Sequence, residues 1–430
     1  MAGDWNEVTL GEISDFRAGS VFKPSHQGNA DGEIPFIKVS DMNLPENAVR
    51  ILSANNWVSK AVARDLRAKP LPPGAVVFAK IGEALRQNRL RQVVRDTIVD
   101  NNMMGAIPRR DRVDEGFFYY TLSQFDFAEI AQGTALPYLT VSSISNLKLS
   151  LPELHEQRAI AHILSSLDNK IELNRRMSAT LETMARSHFK AWFVYFAPVR
   201  AKAEGHDPGL PPHLASVFPD RLIVTEHGEV PEGWEVKPLS EIAEFLNGLA
   251  LQKYPATDPA DSLPVIKIAE LRNGVTAKSD RASRDVPDKY IVRDGDFLFS
   301  WSGSLLAKFW TEGDGALNQH LFKVSSDRYP TWFIAEWVQV HLEEFQNIAA
   351  SKATTMGHIQ RGHLNAAMTN CPPNSGLADL GSVISPLVER RIQIDLESRT
   401  LAAIRDTLLP KLISGDLRVK DAETYLDRVL

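Results

Sequence analysis

The hydrophobic positions of the chain form two kinds of pattern, short apolar runs and longer periodic stripes. The short runs are rich in β-branched or aromatic residues and bounded by Gly, Pro or Asp, which predicts strands at 34–39, 75–81, 263–268 and 296–301. Two stripes of helical period, at 117–132 and 332–349, predict helices whose aromatic residues pack in a core. We therefore expect mixed α/β globules.

These patterns occur twice along the sequence. Residues 5–19 recur as 234–248 at an offset of 229, and residues 34–42 recur as 263–271 at the same offset. Residues 72–82 match 293–303 at an offset of 221, and residues 136–152 match 356–372 at an offset of 220. Two separated blocks that share one offset are hard to obtain by chance, so the chain is predicted to be an internal repeat. The fall in offset indicates that a loop of the second copy has lost about eight residues.

A long helix is predicted after each globule. Residues 153–190 contain neither Gly nor Pro, and their apolar positions alternate spacings of four and three. This first seam consists of Ile160, Leu164, Leu167, Ile171, Asn174 and Leu181. A second seam recurs every seven residues at Leu380, Leu387, Ile394, Leu401 and Leu408. Residues 374–385 have no obvious counterpart before the first helix, so we interpret them as an insertion that alters the start of the second.

An apolar stripe of this length needs a partner helix, and each copy supplies one for the other. We expect an intramolecular antiparallel coiled coil, in which Asn174, Arg391 and Arg405 fix the register at some cost in stability. The alternative is that each helix packs only on its own globule.

The predicted fold class is α+β, with two α/β globules, each followed by a long helix, and an internal pseudo-two-fold repeat. The expected segments are a first globule (1–152), a first helix (153–195), a linker rich in proline (196–230), a second globule (231–375) and a second helix with a C-terminal tail (376–430). A two-fold relation between the globules would match the two-fold symmetry of duplex DNA. A helix of this length is about 57 Å long and would act as a ruler between two different half-sites.

Charge is consistent with nucleic-acid binding only locally. The net charge of −6 argues against a protein that coats DNA by bulk electrostatics. Between residues 60 and 112, however, twelve Lys and Arg residues stand against five Asp and Glu residues, which indicates a phosphate-facing patch. The alternative is a solvated surface with ordinary ion pairs. The single cysteine, Cys371, and the lack of a long apolar run favour a cytoplasmic protein.

Several segments resemble the specificity subunits of type I restriction-modification systems. Residues 151–171 are similar to the central conserved region of these subunits, SPLVERRIQIDLESR resembles its second copy, and LLPKLISGDLRV at 408–419 is similar to their C-terminal signature. The openings WNEVTLGEI and GWEVKPLSEI, the block IPFIKVSDM and the Asn318-Gln319 pair resemble their target-recognition domains. The likeness extends over essentially the whole chain.

The resemblance implies a non-catalytic subunit of a phage-defence complex that recognises specific double-stranded DNA. Each target-recognition domain would read one half of an asymmetric bipartite target, and the helices would set the spacer and dock two methyltransferase subunits. Two restriction subunits would join through these. The resemblance further implies adenine methylation at N6, with S-adenosylmethionine, ATP and magnesium on partner subunits and no cofactor on this chain.

Long polar side chains near glycine, in loops, are the candidates for contacts with DNA, because direct readout needs Arg, Lys, Asn or Gln at base edges. In the first copy the candidates are Lys80, Arg86, Gln87, Asn88, Arg89, Arg91, Thr134 and Tyr138. In the second copy they are Lys267, Ser302, Ser304, Lys308, Lys352, Thr354, Thr355, His358 and Gln360.

Two other functions stay open on the sequence alone. One is an adaptor whose globules bind proteins. The other is a metal-dependent nuclease that uses Asp220, Glu235 and Lys237, although the first-copy counterparts of the last two are Asn6 and Val8. No phosphate-binding loop motif is present, and His358 and His363 lack a nearby carboxylate cluster, so neither an ATP site nor a metal site is expected.

Overall fold

The computed structural model describes residues 5–133, 135–258, 260–351 and 357–429. The chain divides into two compact units. Unit 1 contains residues 1–172 and 400–430, and unit 2 contains Leu173–Arg399. In the part of the chain that is described, no helix is long and apolar enough to span a membrane.

Unit 1 is built on three small sheets. The largest has the strand order Ser14–Ala18, Met103–Pro108, Val76–Ala79, Leu90–Val93 and Arg50–Ile51. Its neighbours are antiparallel except for the last pair. The second sheet has the order Trp57–Val58, Ile34–Ile37 and Ile98–Val99, and the third pairs Asn6–Thr9 with Lys148–Leu151. The helices are Leu10–Ile13, Lys60–Asp65, Glu83–Arg86, Glu115–Leu122, Val141–Ser145 and, near the C-terminus, Val419–Val429.

Unit 2 repeats this plan. One sheet has the order Glu244–Asn247, Leu321–Ser325, Phe297–Ser300 and Ala307–Phe309, and another has the order Arg281–Ser283, Ser262–Ile266, Gly315–Leu317 and Ile291–Val292. Two strand pairs complete it, Glu235–Pro238 with Met368–Cys371 and Leu222–Thr225 with Gly228–Pro231. The helices are Ala197–Ala203, Pro212–Ala215, Leu239–Ile242, Ile268–Asn273, Thr331–Ser351 and Arg361–Ala366.

The predicted strands and the internal repeat are confirmed. Equivalent strands pair alike, since Ile34 lies opposite Val58 and Leu263 opposite Ala282. The loop shortened in the second copy corresponds to the segment of unit 1 that contains the strand Arg50–Ile51 and the helix Lys60–Asp65. This deletion leaves the shared strands intact because it falls in the connection between them.

The aromatic helices of the two units differ in length. The helix predicted at 332–349 is present as Thr331–Ser351, but the one predicted at 117–132 ends at Leu122. Phe127 is nevertheless buried. The Asn88 amide donates to the Phe125 carbonyl at 2.8 Å and accepts from the Phe127 N–H at 3.2 Å, which holds this segment in turns instead of a helix.

Two long helices dominate the helical content. The first is Leu154–Phe189, followed by a π-helical turn at Lys190–Val194, and the second is Asn374–Ser414. Within unit 1 the start of the first packs on the end of the second, since Glu156 pairs with Arg418 beyond the end of that helix and Asp168 with Arg405. Within unit 2 Glu182 pairs with Arg391, and Asn174 with Glu397. In each unit, residue numbers that increase along the first helix pair with residue numbers that decrease along the second. The two helices are therefore antiparallel.

The predicted seams lie in these helix contacts. In unit 1, Ile160, Leu164 and Leu167 are buried in one core with Leu401 and Leu408, and Ile171 packs against it. In unit 2 the buried seam residues are Leu380 and Ile394, whereas Leu181 and Leu387 are partly buried. The antiparallel coiled coil expected from the heptads is thus confirmed, and each helix also contributes to a globule's core.

The second helix starts earlier than expected. Residues 374–385 are its first turns, not an insertion, because the burial pattern of the first helix continues through them. Leu380 and Ile384 are fully buried, as are Ile160 and Leu164 at an offset of 220. Gly381 lies against Trp332, where a larger residue would displace the ring.

The segment expected to be a linker, 196–230, is instead folded as part of unit 2. It forms the helix Ala197–Ala203 and a β-hairpin, and it buries Phe196, Val199, Leu214, Phe218 and Val230 in the core of that unit. The segment was predicted to be a linker because it is rich in proline. Two of its short helices, Ala197–Ala203 and Pro212–Ala215, carry proline in their first turn, where no N–H is needed.

Candidate nucleic-acid interface

Three loops of unit 1 converge beside the end of the strand Val76–Ala79. The Lys80 N–H donates to the Asn102 carbonyl at 2.9 Å, the Leu139 N–H donates to the Lys80 carbonyl at 2.9 Å, and the Gly82 N–H donates to the Pro137 carbonyl at 2.8 Å. We call residues 80–89, 100–102 and 136–139 the three-loop surface of unit 1. Backbone hydrogen bonds fix these loops against one another, so their side chains are presented from a rigid base.

Unit 2 builds the same arrangement from matched residues. The Trp301 N–H donates to the His320 carbonyl at 3.4 Å, the Ile359 N–H donates to the Trp301 carbonyl at 3.0 Å, and the Gly303 N–H donates to the Gly357 carbonyl at 2.8 Å. Residues 301–306, 318–320 and 357–360 form the three-loop surface of unit 2. The three hydrogen bonds correspond one to one with those of unit 1. The residues of two loops match at the offsets of 221 and 220, and Asn102 matches His320 by the position of its turn, at an offset of 218.

A close backbone approach anchors one loop of each surface. A Cβ on Gly19 would lie 1.8 Å from the Asp100 carbonyl oxygen, and a Cβ on Gly248 would lie 2.3 Å from the Asn318 carbonyl oxygen. Only glycine allows this approach. The glycine repeated at an offset of 229 therefore positions the turns at Asp100 and Asn318.

Besides Asn88, five of the first-copy candidates lie on the three-loop surface of unit 1. Lys80 is partly buried, whereas Arg86, Gln87, Arg89 and Tyr138 are exposed. Arg86 pairs with Glu83 at 3.3 Å, an exposed contact that constrains it weakly. Tyr138 lies opposite Ile81 in a β-bridge, so the two predicted loops are adjacent. Thr134 lies outside the described residues.

Asn88 and Arg91 are engaged within unit 1. Both ends of the Asn88 amide are bonded to the backbone at Phe125 and Phe127. The Arg91 guanidinium donates to the Leu90 carbonyl at 2.7 Å and to the Met42 carbonyl at 3.0 Å, and burial lowers its pKa. Both side chains thus support the loops rather than point away from them.

The second-copy candidates divide in the same way. Ser302 and His358 face each other in a β-bridge, and Ser304 and Gln360 are exposed on the three-loop surface of unit 2. Lys267 pairs with Asp280 outside that surface. The remaining candidates Lys352, Thr354 and Thr355 lie outside the described residues.

Lys308 occupies the position of unit 2 that matches Arg91. Arg91 lies opposite Val77 in its hairpin, and Lys308 lies opposite Leu298, the residue that corresponds to Val77. Burial lowers the pKa of Lys308, although the nearby Glu312 and Asp395 carboxylates oppose the shift. The position is therefore a partly buried cation in both units, which sequence composition did not reveal.

The search by composition missed residues that the three-loop surfaces contain. These are Asn101 and Asn102 in unit 1 and Trp301, Gln319 and His320 in unit 2. Asn101 and Asn102 are exposed, whereas Trp301, Gln319 and His320 are half-buried. The offset of 221 from Lys80 was the signal that could have found Trp301, and Gln319 belongs to the Asn318-Gln319 pair that resembles the family's target-recognition domains. The other three are evident only from the repeated backbone contacts of their turns.

The residues proposed for a nuclease are engaged otherwise. Asp220 pairs with Lys202 at 3.3 Å, and Glu235 pairs with Lys237. Among the described residues no cluster of three or more His, Cys, Asp or Glu side chains could hold a metal ion.

Comparison with known proteins agrees with the internal repeat. Residues 2–183 and 231–373 match the type I restriction modification DNA specificity domain. The chain is 25% identical over 437 residues to the type I restriction enzyme MjaIX specificity subunit of Methanocaldococcus jannaschii, covering 97% of this chain and 94% of that protein. It is 24% identical to the HindI specificity subunit of Haemophilus influenzae, covering 96% and 100%.

A solved structure supports the fold. The type I restriction-modification S subunit from M. genitalium superposes with a TM-score of 0.54 at 13% identity, covering 95% of this chain and 96% of that one. The family match spans most of the chain, so the chain belongs to the family of type I restriction-modification DNA specificity subunits. It is accordingly a DNA-recognition subunit, not itself an enzyme.

Proposed function

We propose that each unit reads one half of an asymmetric, split DNA target through its three-loop surface. The main support for this proposal is that the two units repeat the same loop-to-loop hydrogen bonds while they present different side chains. A shared framework keeps the mode of docking constant, and different side chains at base edges select different sequences.

The surface of unit 1 has the charge for this role. Lys80, Arg86 and Arg89 supply cationic groups that suit phosphate or guanine, and Gln87 supplies an amide that suits adenine. Arg89 is exposed and makes no ion pair among the residues that the structure describes. These side chains lie on a base fixed by backbone hydrogen bonds, which reduces the conformational entropy lost on binding.

The long helices, in this proposal, set the spacer and dock two methyltransferase subunits. The first helix exposes large apolar side chains in unit 2, with Leu173 51% and Met184 44% exposed. These two residues are eleven positions apart, close to three helical turns, so they share one face. An exposed apolar face on a helix suits a protein partner.

The partner subunits carry the chemistry. The methyltransferase subunits use S-adenosylmethionine to methylate adenine at N6, and two restriction subunits that use ATP and magnesium join through them. The complex acts in the cytoplasm, where the DNA to be modified or cut is present.

The test is to co-express the chain with its methyltransferase subunits and to map N6-methyladenine across the host genome. We expect one motif made of two unlike halves separated by a spacer of fixed length. A contiguous motif, or methylation without sequence preference, would overturn the proposal. A purified complex whose affinity for duplex DNA is the same at 50 and 200 mM salt would favour a protein-binding adaptor instead.

A further inference from the structure

Matched positions on the two three-loop surfaces carry chemically unlike side chains. Lys80, Asn102 and Tyr138 of unit 1 correspond to Trp301, His320 and His358 of unit 2. The correspondence holds in space within each unit, because the residue pairs 80 with 102 and 301 with 320 make the same backbone hydrogen bond. The β-bridge of Ile81 with Tyr138 likewise corresponds to that of Ser302 with His358.

In unit 2 these three residues form one aromatic cluster. The Trp301 ring lies 5.9 Å from that of His320 and 6.2 Å from that of His358, the latter edge-on. The indole N–H donates to the Asn247 amide oxygen at 2.9 Å. The Trp301 side chain is thereby held by its N–H and by contacts with two rings. The cluster presents these rings and their nitrogens together at one place on the surface.

A buried serine, Ser302, orients the ring of His320. Ser302 is 3% exposed, and its hydroxyl lies 3.0 Å from His320 Nδ1. The other ring nitrogen, Nε2, lies 3.4 Å from the Gln319 side-chain amide. Unit 1 has Ile81 at the serine position, and an isoleucine has no hydroxyl to orient a neighbour. The His320 imidazole is thus positioned by a serine contact that the matched site of unit 1 lacks.

We propose that Trp301, His320 and His358 determine which bases unit 2 selects in its half-site, and that Lys80, Asn102 and Tyr138 do so in unit 1. This inference rests on the proposed function and names the side chains that discriminate. Asn102 offers an amide donor and an acceptor that together match adenine. With Nδ1 of His320 held by Ser302, Nε2 is the ring nitrogen available to a base edge, in exchange for its 3.4 Å contact with Gln319. The indole offers an apolar face for a thymine methyl group.

The experiment is a reciprocal exchange at one matched position. His320→Asn gives unit 2 the residue of unit 1, and Asn102→His does the converse. Each full-length variant is co-expressed with the methyltransferase subunits, and N6-methyladenine is mapped genome-wide. We expect His320→Asn to relax or change base preference in one half of the motif by about ten- to a hundredfold. Asn102→His should alter only the other half.

The controls separate the possible failures. His227→Asn, on the exposed hairpin of unit 2, should leave both halves of the motif unchanged. The half that a variant does not alter reports that the chain has folded and assembled. If the wild-type motif is split but neither exchange changes it, or if both alter the same half, the inference is overturned while the proposed function stands. If the wild-type complex yields no split motif, the proposed function itself fails.

Discussion

Asp168 joins three elements of unit 1 through a single carboxylate. Oδ1 accepts from the Arg405 guanidinium of the second long helix at 2.6 Å, and Oδ2 accepts from the Tyr120 hydroxyl of the globule at 2.7 Å. In unit 2 the sixth residue of the corresponding helix is Glu336 in place of Tyr120, and Arg186 and Arg391 are nearby. Both globules therefore place a buried polar group at this position near the helix pair, but among the residues that the structure describes only in unit 1 does it make a hydrogen bond to a helix.

Asp168→Ala should lower the free energy of unfolding by about 3 kcal/mol, because it leaves the partly buried Arg405 and the Tyr120 hydroxyl without their partner. Asp168 is 7% exposed, so solvent cannot replace the carboxylate without rearrangement. Urea unfolding of the full chain measures the effect.

The matched control is Asp406→Ala, which removes a second carboxylate that bonds the same arginine. The Asp406 side chain is 63% exposed, so its loss should change the free energy of unfolding by less than about 1 kcal/mol. Equal losses for the two variants would show that burial does not distinguish the two ion pairs.

Much of this architecture could be predicted because it depends on repeated patterns. The offset of 229 that relates Gly19 to Gly248 also relates two close backbone approaches. The heptad positions at Ile160 and Leu401 are buried in one core, as a long apolar stripe requires. Periodicity reports which face of an element is covered, and these elements are long enough to show it.

The unpredicted features depend on contacts between distant segments. Arg91 was predicted to contact DNA because of its charge and place in the loop, and its hydrogen bond to the Met42 carbonyl, 49 residues away, leaves no signal in the sequence. Conversely, His320 was overlooked because a lone histidine carries no pattern, and only its hydroxyl partner Ser302 reveals its orientation. Segment 196–230 was interpreted as open because proline content conceals the buried side chains of Phe196 and Phe218.

Glu336→Gln should make stability less dependent on pH. Burial raises the pKa of Glu336 to about 7 from its ordinary 4.5, against the influence of Arg186. Between pH 4.5 and 7 the folded chain keeps a proton that the unfolded chain loses, so the free energy of unfolding falls as pH rises through this window. The total loss is about 3 kcal/mol at most. The difference between wild type and variant, measured by urea unfolding from pH 4 to pH 8, isolates this group.

The glutamine variant should be the more stable chain at pH 8, because it removes the cost of a buried charge while keeping the shape of the side chain. A wild-type-minus-variant difference that stays constant across the range would mean that Glu336 has the same pKa in the folded and unfolded chain.

Gly19→Ala and Gly248→Ala should each disturb the turn that they support. The added Cβ would overlap the carbonyl oxygen of Asp100 or Asn318, so the backbone must shift. We expect a loss of about 2 kcal/mol in stability and weaker preference in one half of the motif for each variant. Gly362→Ala is the control, because a Cβ there meets no atom within 4 Å. If Gly19→Ala and Gly362→Ala behave alike, the close approach at Asp100 is not needed.

Met184→Asp should prevent the methyltransferase subunits from co-purifying with the chain, because it places a charge in the exposed apolar face of the first long helix. Ala179→Asp, also exposed but five residues from Met184 and therefore on a different face of the helix, tests whether any new charge on this helix has the same effect. If the Met184→Asp chain assembles normally, the methyltransferase subunits dock on a different surface.

Arg89→Ala should reduce the salt dependence of DNA binding by the assembled complex. If Arg89 contacts one phosphate, its loss lowers the magnitude of the slope of log affinity against log salt by about 1. Affinity should fall about equally for all sequences, because phosphate contacts carry no base information. Arg200→Ala is the matched control, since Arg200 is also exposed but pairs with Glu229 at 2.7 Å, outside either three-loop surface. A change in base preference with an unchanged slope would instead mean that Arg89 contacts a base edge, whereas no change in either would remove it from the interface.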